Sequence, residues 1–489
     1  MNLLLRLLAG GLLCLVLVAC QRLEAPDREG VLVVALVAEP SFQLSDGTQA
    51  EGFTQDFVRL FAEKLGVPVR FHIATDATEL AELASQGRVH MAAYLDAGPA
   101  TEALSFSVTL GNRALWVVQH SELVGPQSLA ELDGREIHAP IGSAAAQALL
   151  ALAPQVQPKV IEVRDHNEME ILQWLNKDRI ALAAVDELYL RLAANLYPEL
   201  EAVVRLPGSR DFRWAFAPVY GKDLLETANQ FISESEKNGV LPRLRDRHFG
   251  YVRRIDADGL QNFIDDAKTV LPRYRHLFQL AQEVTGLDWR LIAALAYQES
   301  KWDPQATSMT NVRGMMMLTE DTADVLHVDN RLDAMQSIRG GAQYLVQLMD
   351  QLPPSVVDPD RLWLALAAYN LGMGHMNGGR AIALKLNKNP DSWFDMKSVL
   401  PLMSQPAYYE RLKSGRARGG EAVILVENVR SYYSLLAHLE PAHVPMLSVT
   451  PTVKLPIKIP PVGAGSTLSN VARVAKNQAP AVIRSKPPK

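Results

Sequence analysis

The stretch Trp289-Arg-Leu-Ile-Ala-Ala-Leu-Ala-Tyr-Gln-Glu299-Ser-Lys-Trp-Asp-Pro304 shows the clearest structural pattern in the 489-residue chain. Its apolar residues recur at steps of three and four, which predicts a helix with one apolar face. The side chain of Asp288 is placed to cap the start of this helix, and Pro304 prevents its continuation. Glu299 is therefore expected on the last turn of a largely buried helix.

The position of Glu299 predicts an unusual carboxyl group. Burial at the end of an apolar helix removes water from a carboxyl, which raises its pKa and keeps its proton near neutral pH. Cleavage of a glycosidic bond needs such a proton on the leaving oxygen. The alternative is a solvated or ion-paired glutamate, which is the commoner state of any single glutamate taken alone. Motifs further along the chain favour the catalytic interpretation.

Two segments follow Glu299-Ser300 in order: Gly314-Met-Met-Met-Leu-Thr319 and Ala367-Ala-Tyr-Asn370. Together the three resemble the lysozyme-like catalytic domain of soluble-type lytic transglycosylases. In that family a Glu-Ser pair, a Gly-Leu-Met-Gln-like segment and an Ala-Tyr-Asn segment line one cleft. Each match is weak alone, but three matches in this order and at this spacing are specific.

The resemblance implies a role for each motif residue. Glu299 acts first as general acid and then as general base. Ser300 lies near the N-acetyl group of the substrate or orients Glu299, and the Tyr369 hydroxyl helps to hold Glu299. Asn370 caps the helix or binds sugar. The predicted substrate-binding residues are Ser300, Met315, Met316, Met317, Tyr369 and Asn370.

The methionine segment departs from the family pattern. The resemblance places the backbone of residues 314–316 along the cleft. Met317 stands where relatives have glutamine, so a polar contact made elsewhere is missing here. Methionine also fills irregular gaps in cores, and this remains an equal alternative for Met317. Leu425 stands where relatives tend to have tyrosine, and we assign it no chemical role.

The reaction depends on whether a second carboxyl group is present. Retaining and inverting hydrolases both use two carboxyl groups. Asp303 is the acidic neighbour of Glu299 in the sequence, and Pro304 turns the chain beside it, so we expect Asp303 to cap a corner. The resemblance implies non-hydrolytic cleavage of the MurNAc-GlcNAc β-1,4 bond of peptidoglycan, which leaves 1,6-anhydromuramic acid ends. A muramidase that uses water and a non-catalytic, muropeptide-sensing lipoprotein remain as alternatives.

No metal or cofactor is expected. His327 and His375 are not at the spacing of metal ligands, and one carboxyl group suffices when the substrate attacks itself. The formal net charge of −5 argues against a nucleic-acid partner, because DNA-binding proteins usually carry a basic surplus. Cys14 and Cys20 are the only cysteines, so no disulfide is possible in the rest of the chain.

The N-terminal half predicts a different fold class. Strand-like runs such as 31–36, 67–71 and 89–94 alternate with helical patterns at 52–66 and 80–87, which predicts parallel sheets. The order resembles the two-lobed, periplasmic family 3 solute-binding proteins. We therefore predict an α/β two-lobed domain at 30–250, a polar junction with few packing residues at 251–265, and a mostly α lysozyme-like domain at 266–440.

The resemblance also implies a ligand site in the first domain. Asp186 ends a predicted strand, where amino-acid binders of this family have a ligand-facing aspartate. Residues 98–104 lack the arginine that these binders use to clamp a carboxylate, so a free amino acid is not expected. We expect a cell-wall peptide fragment between the lobes, whose closure affects the catalytic domain. The alternative is a scaffold that binds no ligand.

The two ends of the chain predict attachment and a spacer. Residues 1–20 contain Arg6, a short apolar run and Leu17-Val-Ala-Cys20, which resembles a lipoprotein signal with Cys20 as the lipidated residue. Residues 21–29 would be a tether, and the outer membrane, on its periplasmic face, is the expected location. An ordinary secretory signal or an uncleaved anchor is the alternative. Residues 441–489 are proline-rich, basic and free of acidic residues, which predicts disorder.

Six helical patterns are expected in the C-terminal half: 277–285, 290–300, 319–326, 337–352, 361–369 and 428–439. Gly340 and Gly341 fall inside the fourth pattern, where each glycine costs about 1 kcal/mol. Their presence predicts that another helix packs closely there.

Overall fold

A computed structural model describes residues 23–37, 52–93, 95, 101–194, 196–250, 255 and 257–444. The predicted signal segment, Cys20, the start of the tether and the tail beyond residue 444 lie outside the described residues. None of the described helices is both long and apolar enough to cross a membrane.

The strands of the described residues form two five-stranded sheets and one two-stranded ribbon. In chain order the strands are β1 (Leu32–Val37), β2 (Val69–Ala74), β3 (Met91–Ala93), β4 (Ser105–Phe106), β5 (Asn112–Arg113), β6 (Leu115–His120), β7 (Glu136–Pro140), β8 (Lys159–Val163), β9 (Ala183–Asp186), β10 (Leu200–Arg205), β11 (Arg210–Asp211) and β12 (Trp214–Phe216).

The strand order divides the N-terminal half into two lobes. The first sheet has the order β2-β1-β3-β12-β4, with β1 parallel to β2 and β3 and with β12 antiparallel to its neighbours. The second has the order β10-β6-β9-β7-β8. The chain enters the second sheet after β5 and returns to the first through β11, and these two strands pair. The predicted two-lobed α/β architecture is confirmed.

Helices cover the sheets of both lobes. In chain order they are α1 (Pro26–Glu29), α2 (Phe53–Leu65), α3 (Ala77–Ser85), α4 (Ala144–Leu150), α5 (Glu168–Asn176), α6 (Glu187–Ala194), α7 (Gly221–Lys237) and α8 (Val240–Phe249), with 3-10 turns at Leu129–Leu132 and Pro218–Tyr220.

Several predicted elements of this half are shifted along the chain. The helix predicted at 80–87 begins at Ala77, because the Asp76 side chain accepts the Thr78 and Glu79 amides at 2.8 and 2.9 Å. The strand predicted at 67–71 is Val69–Ala74. The helix at 52–66 is confirmed, with its glycine cap in the left-handed conformation at Gly66.

The segment predicted as a polar junction is largely helical. Helix α9 spans Ala257–Thr269, and its apolar residues Leu260, Phe263 and Ile264 are buried. The expectation that few residues of 251–265 would pack is therefore wrong. The prediction failed because the many polar residues of this segment obscured its apolar residues, which recur at helical spacing and form a buried face. The exact domain boundaries stay a prediction.

The C-terminal half is mostly helical, as predicted. Its helices after α9 are α10 (Arg275–Thr285), α11 (Trp289–Ser300), α12 (Glu320–Val325), α13 (Ala334–Gln351), α14 (Asp360–Leu371), α15 (Met373–Lys385), α16 (Trp393–Val399), α17 (Pro406–Tyr409) and α18 (Gly419–Leu439), with 3-10 turns at Leu271–Arg273 and Leu400–Ser404.

Two differences from the predicted helices have sequence reasons. Helix α15 begins Met-Gly-His-Met-Asn-Gly-Gly, and its glycines conceal the helical pattern. Helix α18 begins at Gly419, well before the predicted start at Asn428. Its first turns were not predicted, because they contain glycines and exposed side chains that obscure the helical pattern. Helix α18 packs along α11 and α14 and forms the centre of the helical half.

Charged residues join α8 of the first half to the helical half. The Arg430 guanidinium donates to the carbonyl oxygens of Asp246 and Arg247, each at 2.8 Å. Lys397 forms an ion pair with the Asp246 carboxylate. These contacts give hydrogen-bond donors to carbonyl groups in the last turn of α8, of which that of Asp246 also accepts the Gly250 amide at 2.9 Å.

Candidate active site

Helix α11 positions Glu299 as the sequence predicts. The Asp288 side chain accepts the Arg290 amide at 2.9 Å and caps the helix start. Every residue from Trp289 to Tyr297 is buried, and Glu299 lies in the last turn. The buried part of α11 thus fixes the position of the helix, and its less buried last turn carries the Glu299 carboxyl group.

An aromatic cluster fixes the corner after Glu299. Lys301 and Trp302 both adopt left-handed backbone, with φ of 52° and 60°, a conformation that side chains other than glycine rarely adopt. The buried Trp302 indole donates to the Ala293 carbonyl at 2.8 Å and packs at 4.6 Å from the Tyr297 ring. These contacts offset the strain of the turn.

Asp303 occupies the corner that the sequence predicts for it. It is exposed, and its carboxylate accepts the Gln305 amide at 2.8 Å. This is a local turn contact.

Burial raises the pKa of Glu299 from its ordinary value of 4.5 to about 8. The side chain is half-buried, so one side meets solvent while protein atoms surround the rest of the carboxyl group. Loss of hydration is the whole cause, since no charged group among the described residues contributes. The carboxyl group is therefore protonated at neutral pH.

A short hairpin faces the end of α11. Arg313 and Leu318 exchange backbone hydrogen bonds of 3.0 and 2.9 Å, and residues 314–317 form the turn between them. Gly314 has a φ of 84°, and a Cβ atom there would overlap the Arg331 carbonyl oxygen. Only glycine fits this position.

Three hydroxyl groups hold this hairpin. The Ser300 hydroxyl donates to the Met315 carbonyl at 2.8 Å, and the Tyr369 hydroxyl donates to the Met316 carbonyl at 2.8 Å. The Ser337 hydroxyl accepts the Met316 amide at 3.1 Å. The structure therefore joins the three sequence motifs through backbone carbonyl groups.

The methionines of the hairpin differ in exposure. Met315 and Met316 are completely buried, so neither can touch a sugar without rearrangement, and their predicted substrate contact is not supported. Met317 is half-buried, with a φ of 46°.

A Cβ atom at Gly341 would lie 2.7 Å from the Met316 side chain. The close neighbour of Gly341 is thus this hairpin, and the prediction of a second helix there is wrong.

The helix predicted at 361–369 extends to Leu371, so Tyr369 and Asn370 both lie in the last turn of α14. Asn370 is exposed, while Tyr369 is half-buried and packs at 5.3 Å from the Tyr344 ring. Burial raises the pKa of Tyr369 well above its ordinary value, and the nearby Glu299 raises it further. Tyr369 therefore stays a neutral donor beside Glu299.

One polar pair beside Glu299 lies outside the sequence motifs. The Asn428 side-chain amide donates to the side-chain oxygen of Gln298 at 3.0 Å, across 130 residues of sequence. Sequence reasoning missed this pair. The only local signal was that Gln298 precedes Glu299.

Asp186 ends β9, but the structure does not support its predicted contact with a ligand. Its side chain is 1% exposed, and one carboxylate oxygen accepts the amides of Leu188 and Tyr189 at 2.7 and 3.3 Å. The other oxygen accepts from Arg210 at 3.1 Å. Asp186 thus caps α6 and binds an arginine of this chain.

A cavity of about 80 Å³ lies between the two lobes. Its polar lining includes Thr75, Arg113, Ser143, Asn167, Glu168 and Arg210. This volume is about that of a few water molecules. Within the described residues, no three His, Cys, Asp or Glu side chains gather as metal ligands would.

The sequence of this chain is similar to those of proteins whose family is known. Residues 276–392 match the family described as the transglycosylase SLT domain. A protein of Methylobacillus flagellatus named membrane-bound lytic murein transglycosylase F is 38% identical, and the match covers 95% of this chain and 99% of that protein. Its namesake from Nitrosospira multiformis is 37% identical over 85% of this chain and 88% of its own length.

Solved structures resemble the N-terminal half. A mutant arginine-binding protein from T. maritima is 19% identical, with a TM-score of 0.41, over 46% of this chain and 97% of its own. An ancestral arginine-binding protein bound to arginine is 22% identical, with a TM-score of 0.40, over 45% and 98%. Since the sequence relatives match nearly end to end at more than 30% identity, the chain belongs to the membrane-bound lytic murein transglycosylase F family.

Proposed function

We propose that this chain cleaves the MurNAc-GlcNAc β-1,4 bond of peptidoglycan without water, with Glu299 as general acid and then general base. The main support is the Glu299 carboxyl group, whose pKa burial raises to about 8 in the absence of any contributing charge from the described residues. Such a group holds a proton at neutral pH and can later take one back.

The proposed reaction has two proton transfers. The Glu299 carboxyl gives its proton to the glycosidic oxygen as the bond from that oxygen to C1 of MurNAc breaks, and GlcNAc leaves as an alcohol. The carbonyl oxygen of the 2-acetamido group shields the positive charge at C1. The Glu299 carboxylate then takes the proton of the C6 hydroxyl, whose oxygen bonds to C1 and forms the 1,6-anhydro ring. No water is consumed.

This route fits the surroundings of Glu299 better than hydrolysis does. A hydrolase needs a second carboxyl group about 5 to 9.5 Å away, as nucleophile or as base for water. The sequence neighbour Asp303 is exposed and bonded within its own turn. A second carboxylate near Glu299 would also affect its pKa, and burial alone accounts for that shift.

The other motif residues have supporting roles in this proposal. Ser300 and Tyr369 hold the hairpin through the Met315 and Met316 carbonyl groups, which keeps the cleft wall beside Glu299 in place. The exposed Asn370 side chain is available to a sugar. Of the three methionines at 315–317, Met317 is the one with solvent exposure.

Digestion of purified peptidoglycan, with the products read by mass, tests the proposal. We expect muropeptides that are one water lighter than the products of hydrolysis, and none of them with Glu299→Gln. Products with reducing ends would identify a muramidase. Intact peptidoglycan with both proteins would favour the binding-only alternative.

We further propose that the two-lobed domain binds a peptide fragment of the cell wall. The cavity between the lobes has polar walls that include Thr75, Ser143 and Asn167, as a peptide would need. At about 80 Å³ the cavity is too small for a peptide, so the lobes must open first. Calorimetric titration of the full-length Glu299→Gln variant with defined muropeptides tests this, because that variant does not consume the ligand. If none of the fragments binds, the two-lobed domain is a scaffold without a ligand.

The proposed location is the periplasmic face of the outer membrane, with lipid on Cys20. The support is the Leu17-Val-Ala-Cys20 sequence, together with relatives named membrane-bound. Several acyl chains would anchor the protein stably, at about 0.8 kcal/mol per buried methylene. A Cys20→Ser variant should lose incorporation of labelled fatty acid and leave the membrane fraction. Unchanged fractionation would contradict the anchor.

A further inference from the structure

The hydrogen bond between Gln298 and Asn428 joins the end of α11 to α18 beside Glu299. Both side chains are half-buried, and the two polar atoms are 3.0 Å apart. The chemistry proposed above gives this pair no role. Because the pair lies next to the proposed acid, its effect on the position of that acid can be tested.

The last turn of α11 depends on side chains for its position. The final carbonyl groups of a helix have no partner within the helix. Successive residues project about 100° apart around the axis, so Gln298 and Ser300 point to nearly opposite sides of Glu299. Ser300 binds the Met315 carbonyl on one side at 2.8 Å, and Gln298 binds Asn428 on the other.

Helix α18 gives Asn428 a fixed support. The preceding residue, Glu427, is buried and accepts hydrogen bonds from the Trp393 indole at 2.6 Å and from Arg430 at 2.8 Å. These contacts restrict the rotation and sliding of α18 at this level. Asn428 therefore projects toward α11 from a backbone that is held on its other side.

The two helices are joined at both ends of α11. Near its start, the Tyr433 hydroxyl donates to the capping carboxylate of Asp288 at 2.9 Å. Near its end, Leu425 of α18 is buried and apolar and offers no hydrogen bond, so Asn428 supplies a polar contact there. Loss of this contact would leave the last turn of α11 held on the Ser300 side only, while the start of the helix stayed attached.

We propose that Asn428, acting through Gln298, is a positioning residue that keeps the Glu299 carboxyl aimed into the cleft and sheltered from water. The inference rests on the proposed role of Glu299 as the acid. Removal of the hydrogen bond would let the last turn move and admit water to the carboxyl group, while the rest of the cleft kept its shape.

The neighbouring groups of Glu299 are neutral or paired with other groups. The access of water to its carboxyl group is therefore the main influence on its protonation. Tyr369 faces it from α14, and Tyr344 lies behind Tyr369 on α13; burial raises the pKa of both hydroxyls, so both are neutral. Directly after α11, the Lys301 ammonium lies over the Tyr297 ring at 5.3 Å. On α18, the charge of Glu427 is taken up by Arg430.

The test measures kcat and KM on purified peptidoglycan against pH for the full chain and two variants of Asn428. Asn428→Ala should lower kcat about tenfold, since misplaced groups lose rate, with a smaller change in KM. Its basic limb should move to lower pH, because water stabilises the charged carboxylate. Asn428→Asp can accept from the Gln298 amide, and its negative charge should move the basic limb to higher pH.

Three further variants complete the experiment. Gln298→Met removes the same hydrogen bond from the other side and should reproduce the effect of Asn428→Ala, so the test survives if either protein fails to fold. Combining the two should cause no further loss, because they break one contact. Gln351→Ala, exposed at the end of α13, should behave as wild type.

The outcomes separate this inference from the proposed function. An inactive Glu299→Gln variant, beside Asn428 and Gln298 variants with wild-type kcat and pH profiles, would overturn only the positioning role. Additive losses in the double variant would also overturn it. An active Glu299→Gln variant would overturn the proposed acid and this inference together.

Discussion

Glu299, which is half-buried, and Glu427, which is buried, lie on adjacent helices, and their environments shift the pKa in opposite directions. Burial alone raises the pKa of Glu299 to about 8. Burial also acts to raise that of Glu427, but Arg430, Lys397 and the Trp393 hydrogen bond outweigh it, and the pKa falls below its ordinary value. Burial by itself therefore does not fix the direction of the pKa shift; the presence or absence of compensating partners does.

Asp186 extends the comparison to the two-lobed domain. It is as buried as Glu427, and its two oxygens are bound by backbone amides and by Arg210. Paired buried carboxylates of this kind hold structure together, and removal of one partner is costly because it leaves an uncompensated charge. Glu299 lacks this compensation and keeps a proton available for chemistry.

The largest expected effect is the loss of cleavage in Glu299→Gln. General acid–base catalysis contributes about 100- to 10,000-fold, and in the proposed mechanism Glu299 serves in both steps, so we expect at least about a 1,000-fold fall in kcat. Asp303→Asn is the matched control, since an asparagine oxygen can keep the bond to the Gln305 amide. Release of anhydro-muropeptides, quantified by mass spectrometry, is the measurement. A comparable loss in Asp303→Asn would indicate a second catalytic carboxylate.

Removal of the partner of Glu427 should cost stability. Arg430→Met leaves Glu427 buried without its main positive neighbour, which typically costs about 3–5 kcal/mol in free energy of unfolding. Arg418→Met is the control, because that side chain, directly before the same helix, is 80% exposed and its loss should change stability little. Denaturant unfolding measures both. Equal midpoints for the two variants would show that the Glu427–Arg430 pair contributes nothing.

The two glutamates should differ in how they link stability to pH. Glu299 is protonated in the folded state up to about pH 8 but ionised in the unfolded chain above about pH 4.5, so it lowers stability as pH rises through this window. Glu299→Gln removes that slope, at most about 1.4 kcal/mol per pH unit. The variant should therefore be more stable than wild type near pH 8, with an advantage that disappears near pH 4.5.

Glu427→Gln should show the opposite sign. A carboxyl with a lowered pKa contributes stability above its unfolded pKa, and that contribution is lost as the pH falls below about 4.5. The variant should be less stable than wild type at neutral pH, and the difference should shrink in acid. Thermal unfolding of both variants from pH 4 to pH 8 tests the pair. Parallel stability–pH curves would contradict the contrast between the two sites.

The smallest expected effect is that of Tyr369→Phe. It removes the hydrogen bond to the Met316 carbonyl, which would leave a buried acceptor without that donor at a cost of about 1–3 kcal/mol. We expect a fall in kcat of about tenfold, because the hairpin beside Glu299 loses one of its supports. Tyr344→Phe, with the same ring in the same pair, is the control. A full loss of activity in Tyr369→Phe would instead assign its hydroxyl to the chemistry.

Much of the fold followed from local patterns. The three- and four-residue steps of Trp289–Ser300 and the capping side chain of Asp288 predicted α11 correctly, because both signals act between residues close in the chain. Alternating strands and helices predicted parallel strands in the same way, and the resemblance to solute-binding proteins implied the two lobes. Local patterns failed at Ala257–Thr269 and Met373–Lys385, where polar residues or glycines masked helices that tertiary packing stabilises.

The sequence by itself determined the order of the motifs, the helix whose last turn carries Glu299, and the glycine before the methionines. Only the tertiary structure decided which carboxyl groups are compensated. The Trp393 donor of Glu427, the Arg210 partner of Asp186 and the Asn428 contact of Gln298 are 34, 24 and 130 residues away in the chain. The reason is physical: a pKa depends on the distances through space to charged and hydrogen-bonding groups, and contacts between residues far apart in the chain leave no periodic pattern in the sequence.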